Sequence, residues 1–429
     1  MHDVIVVGGG FAGVTAAREA ALRGRSVLLL EARERLGGRT WTAPWNGSEI
    51  EYGGAWVHWH QPHTWSELTR AGLRVNLSHN AERASWYVGE ERREGRMAER
   101  DAIARRGWDR FVEGVETALP LPHDPLFAID ELARFDRLSM AERMAQLGLS
   151  AEEHDVLAAE LESLAHAPLN EAGAVAVLRW HALSGYSLAL TQFTGGRVTI
   201  VGGTRALLGA IAGAAGFEQS LDTPVAAVRR EAEKVEVAAR DGRSFAARAV
   251  VVALPLNVLG SISFEPALSE GKERAIAVGQ ASRGIKLFVK ARGPAVTHNA
   301  IRAGHPFGYI DTEDVYEADG TQLMIAFGRD AAGCAASDRG WAQEELDRLI
   351  PGYEVVAADA HDWLADEFTR GTWAIHRPGW YEHHHAAMRE PEGRMILAGS
   401  DIANGWAGFI DGAIESGLQA GARAAALSG

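Results

Sequence analysis

DVIVVGGGFAGVTAAREAALRGRSVLLLE occupies residues 3–31. Val4 to Val7 form an unbroken apolar run, the pattern of a parallel strand buried on both faces. Gly8, Gly10 and Gly13 follow as G-x-G-x-x-G. Ala16, Ala17, Ala20, Ala21 and Leu22 then give a helix with side chains small enough to pack closely on a sheet. Gly24 ends that helix, and the run from Val27 to Leu30 makes a second strand that closes at Glu31. Strand, glycine turn, helix, strand and acid, in that order, mark a dinucleotide-binding unit. The glycines let backbone N–H groups approach a pyrophosphate at the helix start, and Glu31 stands where a carboxylate accepts a bond from an adenosine ribose.

The rest of the chain narrows the class. Its 429 residues predict two domains, or one domain with a large insertion. A 47% apolar content supplies ample core, and a net charge of −14 argues against nucleic acid while favouring a cationic small molecule. The single cysteine, Cys334, excludes an internal disulfide framework. No run of 18 apolar residues suggests a membrane span, and the immediate first strand leaves no room for a signal peptide, so a cytoplasmic protein is expected.

Beyond Glu31 comes ARERLGGRT (32–40). A nicotinamide domain has no use for the second glycine pair, Gly37–Gly38, or for the Arg39 that follows; a flavin dinucleotide, lying extended, needs more backbone and a cation along its phosphates. IVGGTRALLGA (200–210) lacks the full glycine motif and its acid, so a second nucleotide and NAD(P)H as co-substrate are not expected.

ERLGGRT, together with GGAWVH (53–58), GIKLFV (284–289), HDWLAD (361–366), RGTWAIH (370–376) and AGSDIANGWAGFIDGAIESG (398–417), resembles the flavin-dependent monoamine oxidase family, closest to bacterial amine oxidases of the nicotine pathway. The resemblance covers most of the chain and thins across 80–190. It implies an α/β fold: a two-dinucleotide-binding, Rossmann-like FAD domain interleaved with an α+β substrate domain. The FAD domain is expected from residues 1–75, 198–284 and 392–429, and the substrate domain from 76–197 and 285–391. By the same resemblance FAD is held by Gly8, Gly10, Gly13, Glu31, Arg33, Gly37, Gly38, Arg39, Gly54, Ala55, Trp56, Val225, Gly399, Asp401, Gly408 and Phe409.

The glycine-rich stretch near the end has its own physical reading. A last strand ends near Ala398, and the chain turns through Ser400–Asp401 into a helix whose N-terminus suits the anionic edge of a reduced flavin. Asp401 is expected to accept a ribityl hydroxyl, and Gly405, Gly408 and Gly412 to let backbone touch the ring. The resemblance makes Trp373 and Phe409 the two walls of an aromatic amine cage, with phenylalanine where the family often has tyrosine. It also makes Lys286 the residue that reaches flavin N5 through a water. By strand pattern alone, Lys286 shares a polar side with Lys290 and reads as a solvated charge. Covalent members tether flavin through a cysteine just before the cage aromatic; Thr372 stands there, so the FAD is expected to be non-covalent.

Other constellations carry less. His58, His60 and His63, and the run 383–385, lack metal-site spacing with a nearby acid, so no metal is expected; His58 is placed beside the flavin. Arg179 and His181 are candidates for the pocket, where an arginine would suit a substrate carboxylate. EERREGRMAERDAIARRGWDRF (90–111) and SAEEHDVLAAELESLAHA (150–167) read as charged surface helices. The function expected is oxidation of a small amine to an imine, with dioxygen reoxidising the flavin and giving hydrogen peroxide. Amino-acid oxidase or C–C desaturase chemistry, and a non-catalytic binding module, are the alternatives. The partners expected are the amine and dioxygen, with room for a homodimer.

Overall fold

A computed structural model describes every residue except 79, 195 and 317, and Thr194 by its backbone alone. The motif folds as its sequence requires. Strand His2–Val7 feeds helix Phe11–Leu22 and returns as Val27–Leu30, which pairs with it in parallel. Gly13 packs the helix onto the strand: a Cβ there would lie 1.8 Å from the Gly8 carbonyl oxygen, so no other residue fits.

Around this unit runs an eight-stranded sheet in the order Ser263–Glu265, Val225–Arg230, Val235–Ala239, Ser244–Val252, His2–Val7, Val27–Leu30, Glu218–Ser220. Ser244–Val252 divides its length between two neighbours. Its first half runs antiparallel to Val235–Ala239, and Val250–Val252 run parallel to Met395–Leu397. The sheet thus gathers strands from the beginning, middle and end of the sequence.

The C-terminal helix Ile410–Leu427 lies alongside Phe11–Leu22. A Cβ at Gly417 would sit 2.4 Å from the Ala12 oxygen and one at Gly421 2.5 Å from the Ala16 oxygen. The glycines therefore let the two backbones touch, and the matching four-residue steps make the helices parallel, with both N-termini at one end. Arg18 clamps the first helix to Glu67 of helix Pro62–Ala71 by two bonds of 2.7 Å, both partners buried.

A seven-stranded sheet forms the other half, in the order Glu354–Ala360, Ile285–Arg292, Thr321–Gly328, Tyr309–Tyr316, His298–Ile301, Arg83–Val88, Glu91–Arg96. Ile285–Arg292 alternates as expected, but neither side is solvated. Ile285, Leu287 and Val289 pack with Met324 and Leu346, while Phe288 packs with Tyr52, Phe327 and Trp363. Among the described residues no helix is long and apolar enough to cross a membrane.

Both charged stretches depart from the surface-helix expectation. Glu91–Arg96 is an edge strand, joined to Arg83–Val88 through a two-residue turn at Gly89–Glu90. Its charges protect a free sheet edge. The helix begins only at Met97, where Glu99 bonds back to the Arg96 N–H. Helix Ala151–Ala165 is largely buried, with Glu160 paired to the buried Arg100 at 3.1 Å and Glu162 engaged by Arg329. Its C-terminal end becomes a wall of the functional site.

Candidate active site

One cavity runs from the glycine motif to the aromatic residues of the second sheet. Its lining joins main-chain turns suited to a dinucleotide with rings suited to a second, smaller molecule. At one end lie Gly8, Gly10, Glu31, Arg33, Gly37, Gly38, Arg39 and Val225. Helix Phe11–Leu22 starts without a side-chain cap and with no acid in its first turn, so its positive end is left for a ligand anion. Beyond Gly10 a Cβ would meet nothing closer than 3.9 Å, which leaves the main chain open to a close-lying phosphate. Glu31 is held by the Gly9 and Arg33 N–H groups at 2.6 and 2.9 Å. These residues fit FAD.

Arg39 joins this end to the C-terminal turn. It donates to the Thr372 carbonyl at 2.9 Å and the Ser400 hydroxyl at 3.0 Å, and pairs with Asp401. Asp401 is therefore placed differently from the ribityl contact expected. It lies beneath the cavity surface, taking bonds from Arg39, Ser400 and the Leu256 N–H. Burial pushes its pKa up, but Arg39 and these donors outweigh burial and hold it below the usual carboxylate value. Gly399 and Gly408 do face the cavity, both at positive φ. Gly405 and Gly412 do not: a Cβ would strike Glu415 at 2.5 Å in the first case and the Trp406 oxygen at 2.2 Å in the second. After Ser400–Ile402, a short 3₁₀ turn, the chain loops before Ile410 opens the helix, and Ile410 lines the cavity.

The other end is made of rings. Trp373 and Phe409 both line it, and their chain segments adjoin at Gly408, which has a φ of 85° and where a Cβ would lie 3.1 Å from the Ala374 carbonyl oxygen. Trp373 is fixed by its indole N–H, which donates to the Leu164 carbonyl at 2.8 Å. Phe409 meets Trp180 and Trp406 edge-on, with centroids 5.0 and 5.2 Å away. Gly54, Ala55 and Trp56 complete the floor. Lys286, 3% exposed, donates to the Glu51 and Gly53 carbonyls at 2.7 and 3.2 Å, and its ammonium lies 4.5 Å from the Trp56 ring centre. Burial lowers its pKa to about 8, against a partial opposing pull from Glu51 and Glu313. Lys290, its neighbour by strand pattern, instead pairs with Asp319 at 3.3 Å, away from the cavity.

Three expected pocket residues lie elsewhere. His58 is packed between Trp59, His60 and Phe193 and does not line the cavity. Arg179 is neither on the surface nor in the pocket. It is buried, donating to the Tyr381 hydroxyl at 2.5 Å, to the Gly405 carbonyl at 2.7 Å and to the Asn404 carbonyl, and so braces the 403–409 loop from behind. His181 bonds Thr191 at 3.0 Å. Sequence reasoning missed Ser163, Leu164, His166, Trp180 and Phe327, all on the cavity wall. Nothing in their local sequence marks them, because the wall forms only when helix Ala151–Ala165 meets residues more than 150 positions away.

The sequence profile of the flavin-containing amine oxidoreductases matches residues 11–425. The chain belongs to that family. Its FAD is held without a covalent tether, and no cysteine lines the cavity. A pseudooxynicotine dehydrogenase from a Pseudomonas species is 36% identical, over 98% of this chain and 85% of its own. The (S)-6-hydroxynicotine oxidase of Paenarthrobacter nicotinovorans is 30% identical over 97% of each. The fold is shared with putrescine oxidase in complex with putrescine, at a TM-score of 0.82, 23% identity and 98% coverage of both chains. The protein is an FAD-dependent enzyme of amine oxidation.

Proposed function

We propose that the enzyme oxidises a carbon–nitrogen bond of a small amine to an imine in the slot beside Trp373 and Phe409, with dioxygen as the final acceptor. The observation that carries this reading is the continuity of one cavity from the glycine turns to an aromatic end containing a buried lysine. When bound, FAD supplies the two-electron oxidation. The chain's own residues do the rest. The rings exclude water, and together with the Lys286 cation they favour the uncharged amine, whose lone pair assists loss of the α-hydrogen. Trp373 and Phe409 position the α-carbon. Lys286 stabilises the negative charge that dioxygen acquires as it takes up electrons. The released imine hydrolyses in water.

An amino-acid oxidase needs a cation for the substrate carboxylate. Arg179 is turned away to backbone carbonyls, and Arg39 is committed to Asp401. A protein acceptor in place of dioxygen is the second reading, favoured by the name dehydrogenase borne by a relative at 36% identity. The test is anaerobic bleaching of the yellow enzyme by a panel of primary, secondary and cyclic amines, followed by mixing with aerated buffer. Bleaching with prompt recolouring and peroxide release supports the oxidase. Bleaching with sluggish recolouring selects the protein acceptor, and no bleaching by any amine overturns amine oxidation.

A further inference from the structure

His166 lines the cavity, and the reading above leaves it without work. It follows the last turn of helix Ala151–Ala165 as its C-cap, in a left-handed conformation with φ of 49°. Such a conformation is costly for a non-glycine residue and is kept where the surroundings over-determine it. Here they do. Its carbonyl accepts the Arg283 N–H at 2.7 Å, and the Gly284 backbone fits so closely that a Cβ there would lie 2.7 Å from that of His166. The ring lies against Trp373, tilted by 36° with centroids 3.9 Å apart, and stands 5.4 Å from Phe327.

The imidazole is fully buried within the protein, lines the cavity, and has no partner for either nitrogen among the described residues. A buried polar atom left without a partner is destabilising, so two on one ring call for a partner that enters from outside. Burial, with help from the Lys286 charge, pushes the ring's pKa down to about 3, so it stays neutral and can donate through one nitrogen and accept through the other. A second unpartnered donor, the Trp56 indole N–H, belongs to a ring 5.6 Å from the same Phe327.

We infer that His166 is a specificity-determining residue: it hydrogen-bonds a neutral polar group carried by the substrate away from the reacting nitrogen, such as a ring nitrogen, hydroxyl or carbonyl. The substrate class is then amines with such a group, in preference to purely hydrocarbon amines. This rests on the amine-oxidase reading of the same cavity.

The test uses the flavin-loaded enzyme and an isosteric pair, 4-phenylbutylamine and 4-(pyridin-3-yl)butylamine, which differ by one ring nitrogen. Anaerobic flavin bleaching in a stopped-flow instrument gives the limiting rate and Kd of each separately. The wild-type enzyme is expected to favour the pyridyl amine by about tenfold or more, chiefly in Kd. His166→Phe keeps a ring against Trp373 and removes both nitrogens, so the preference falls to near unity. His166→Asn keeps the left-handed backbone and an amide that donates and accepts, so it retains the preference; His166→Ala serves if the phenylalanine variant does not fold, and carries the same expectation of loss. Bleaching by both amines with equal preference in the wild-type and His166→Phe enzymes overturns the inference while leaving amine oxidation intact. Bleaching by no amine of the wider panel overturns amine oxidation, and the substrate class falls with it.

Discussion

The two ends of the cavity are built on opposite plans. At the dinucleotide end glycine turns bring main chain to the cavity, and the charged side chains beside them are already tied to the protein: Glu31 to two N–H groups, Arg33 to Asp366, Arg39 to Asp401. At the substrate end the surface is rings, and polar atoms of His166, Trp56 and Thr372 have no hydrogen-bond partner among the described residues. A cradle of glycine turns and mutually paired charges can be broken at one residue but not retuned there, so it holds one kind of ligand. A wall of separate side chains can be altered residue by residue while the frame stays put.

Substitutions that cross between the two plans test this contrast. The largest effect is expected from Arg39→Ala, which strands the buried Asp401 carboxylate and removes the cation from the dinucleotide end. Breaking a buried pair from one side costs about 3–5 kcal/mol, so a colourless protein with a clearly lowered Tm is expected. A yellow variant melting like the wild type would mean that this pair is not part of the frame. Trp373→Ala strikes the other end. It is expected to stay yellow, while bleaching by a good amine slows on the order of 100-fold, or about 2.7 kcal/mol. Unchanged bleaching would make Trp373 a packing residue only.

Lys286 belongs to the ring end, with its ammonium against Trp56. Lys286→Met is expected to slow recolouring by dioxygen about tenfold, less than the loss of a full oxyanion donor, with bleaching less affected. Its pKa of about 8 fixes the sign: the cation is present below that value and lost above it. Wild-type recolouring should therefore slow as pH rises through about 8, and the Met variant should show no such step. Lys290→Met, which removes only a pair near the surface, is the control and should match the wild type. The smallest effect belongs to Cys334→Ser. Burial raises this thiol to about 11, and it lies off the cavity. Acid precipitation should leave the yellow colour in solution for wild type and variant alike; colour kept in the pellet would contradict a non-covalent flavin.

The same contrast explains what the sequence disclosed. The first part of the cradle was readable because it is contiguous, with strand, glycine turn, helix, strand and acid packed into residues 3–31. The aromatic wall was readable only where a family motif carried it, at Trp373 and Phe409. His166, Trp180 and Phe327 come from three elements with no shared local pattern. Elsewhere charge misled. Residues 91–96 carry charges on both strand faces, so the alternation that reveals a strand is missing. Glu160 and Glu162 read as solvated because their partners, Arg100 and Arg329, lie 60 and 167 positions away. Asp401 was given to a ligand, and Arg179 stood as no more than a pocket candidate, for the same reason: a buried charge announces itself in sequence, but its counterpart does not.

The glycine seam between the first and last helices also sets the order of events in biosynthesis. Gly417 and Gly421 meet Ala12 and Ala16, so a floor begun in the first thirty residues is finished by the last thirty. A ribosome must therefore release nearly the whole polypeptide before the cradle closes, and the newborn protein waits colourless until then. Nascent chains arrested before residue 398 should carry no flavin, and those released in full should take it up; flavin retained on the shorter chains would show that the first glycine turn grips it unaided.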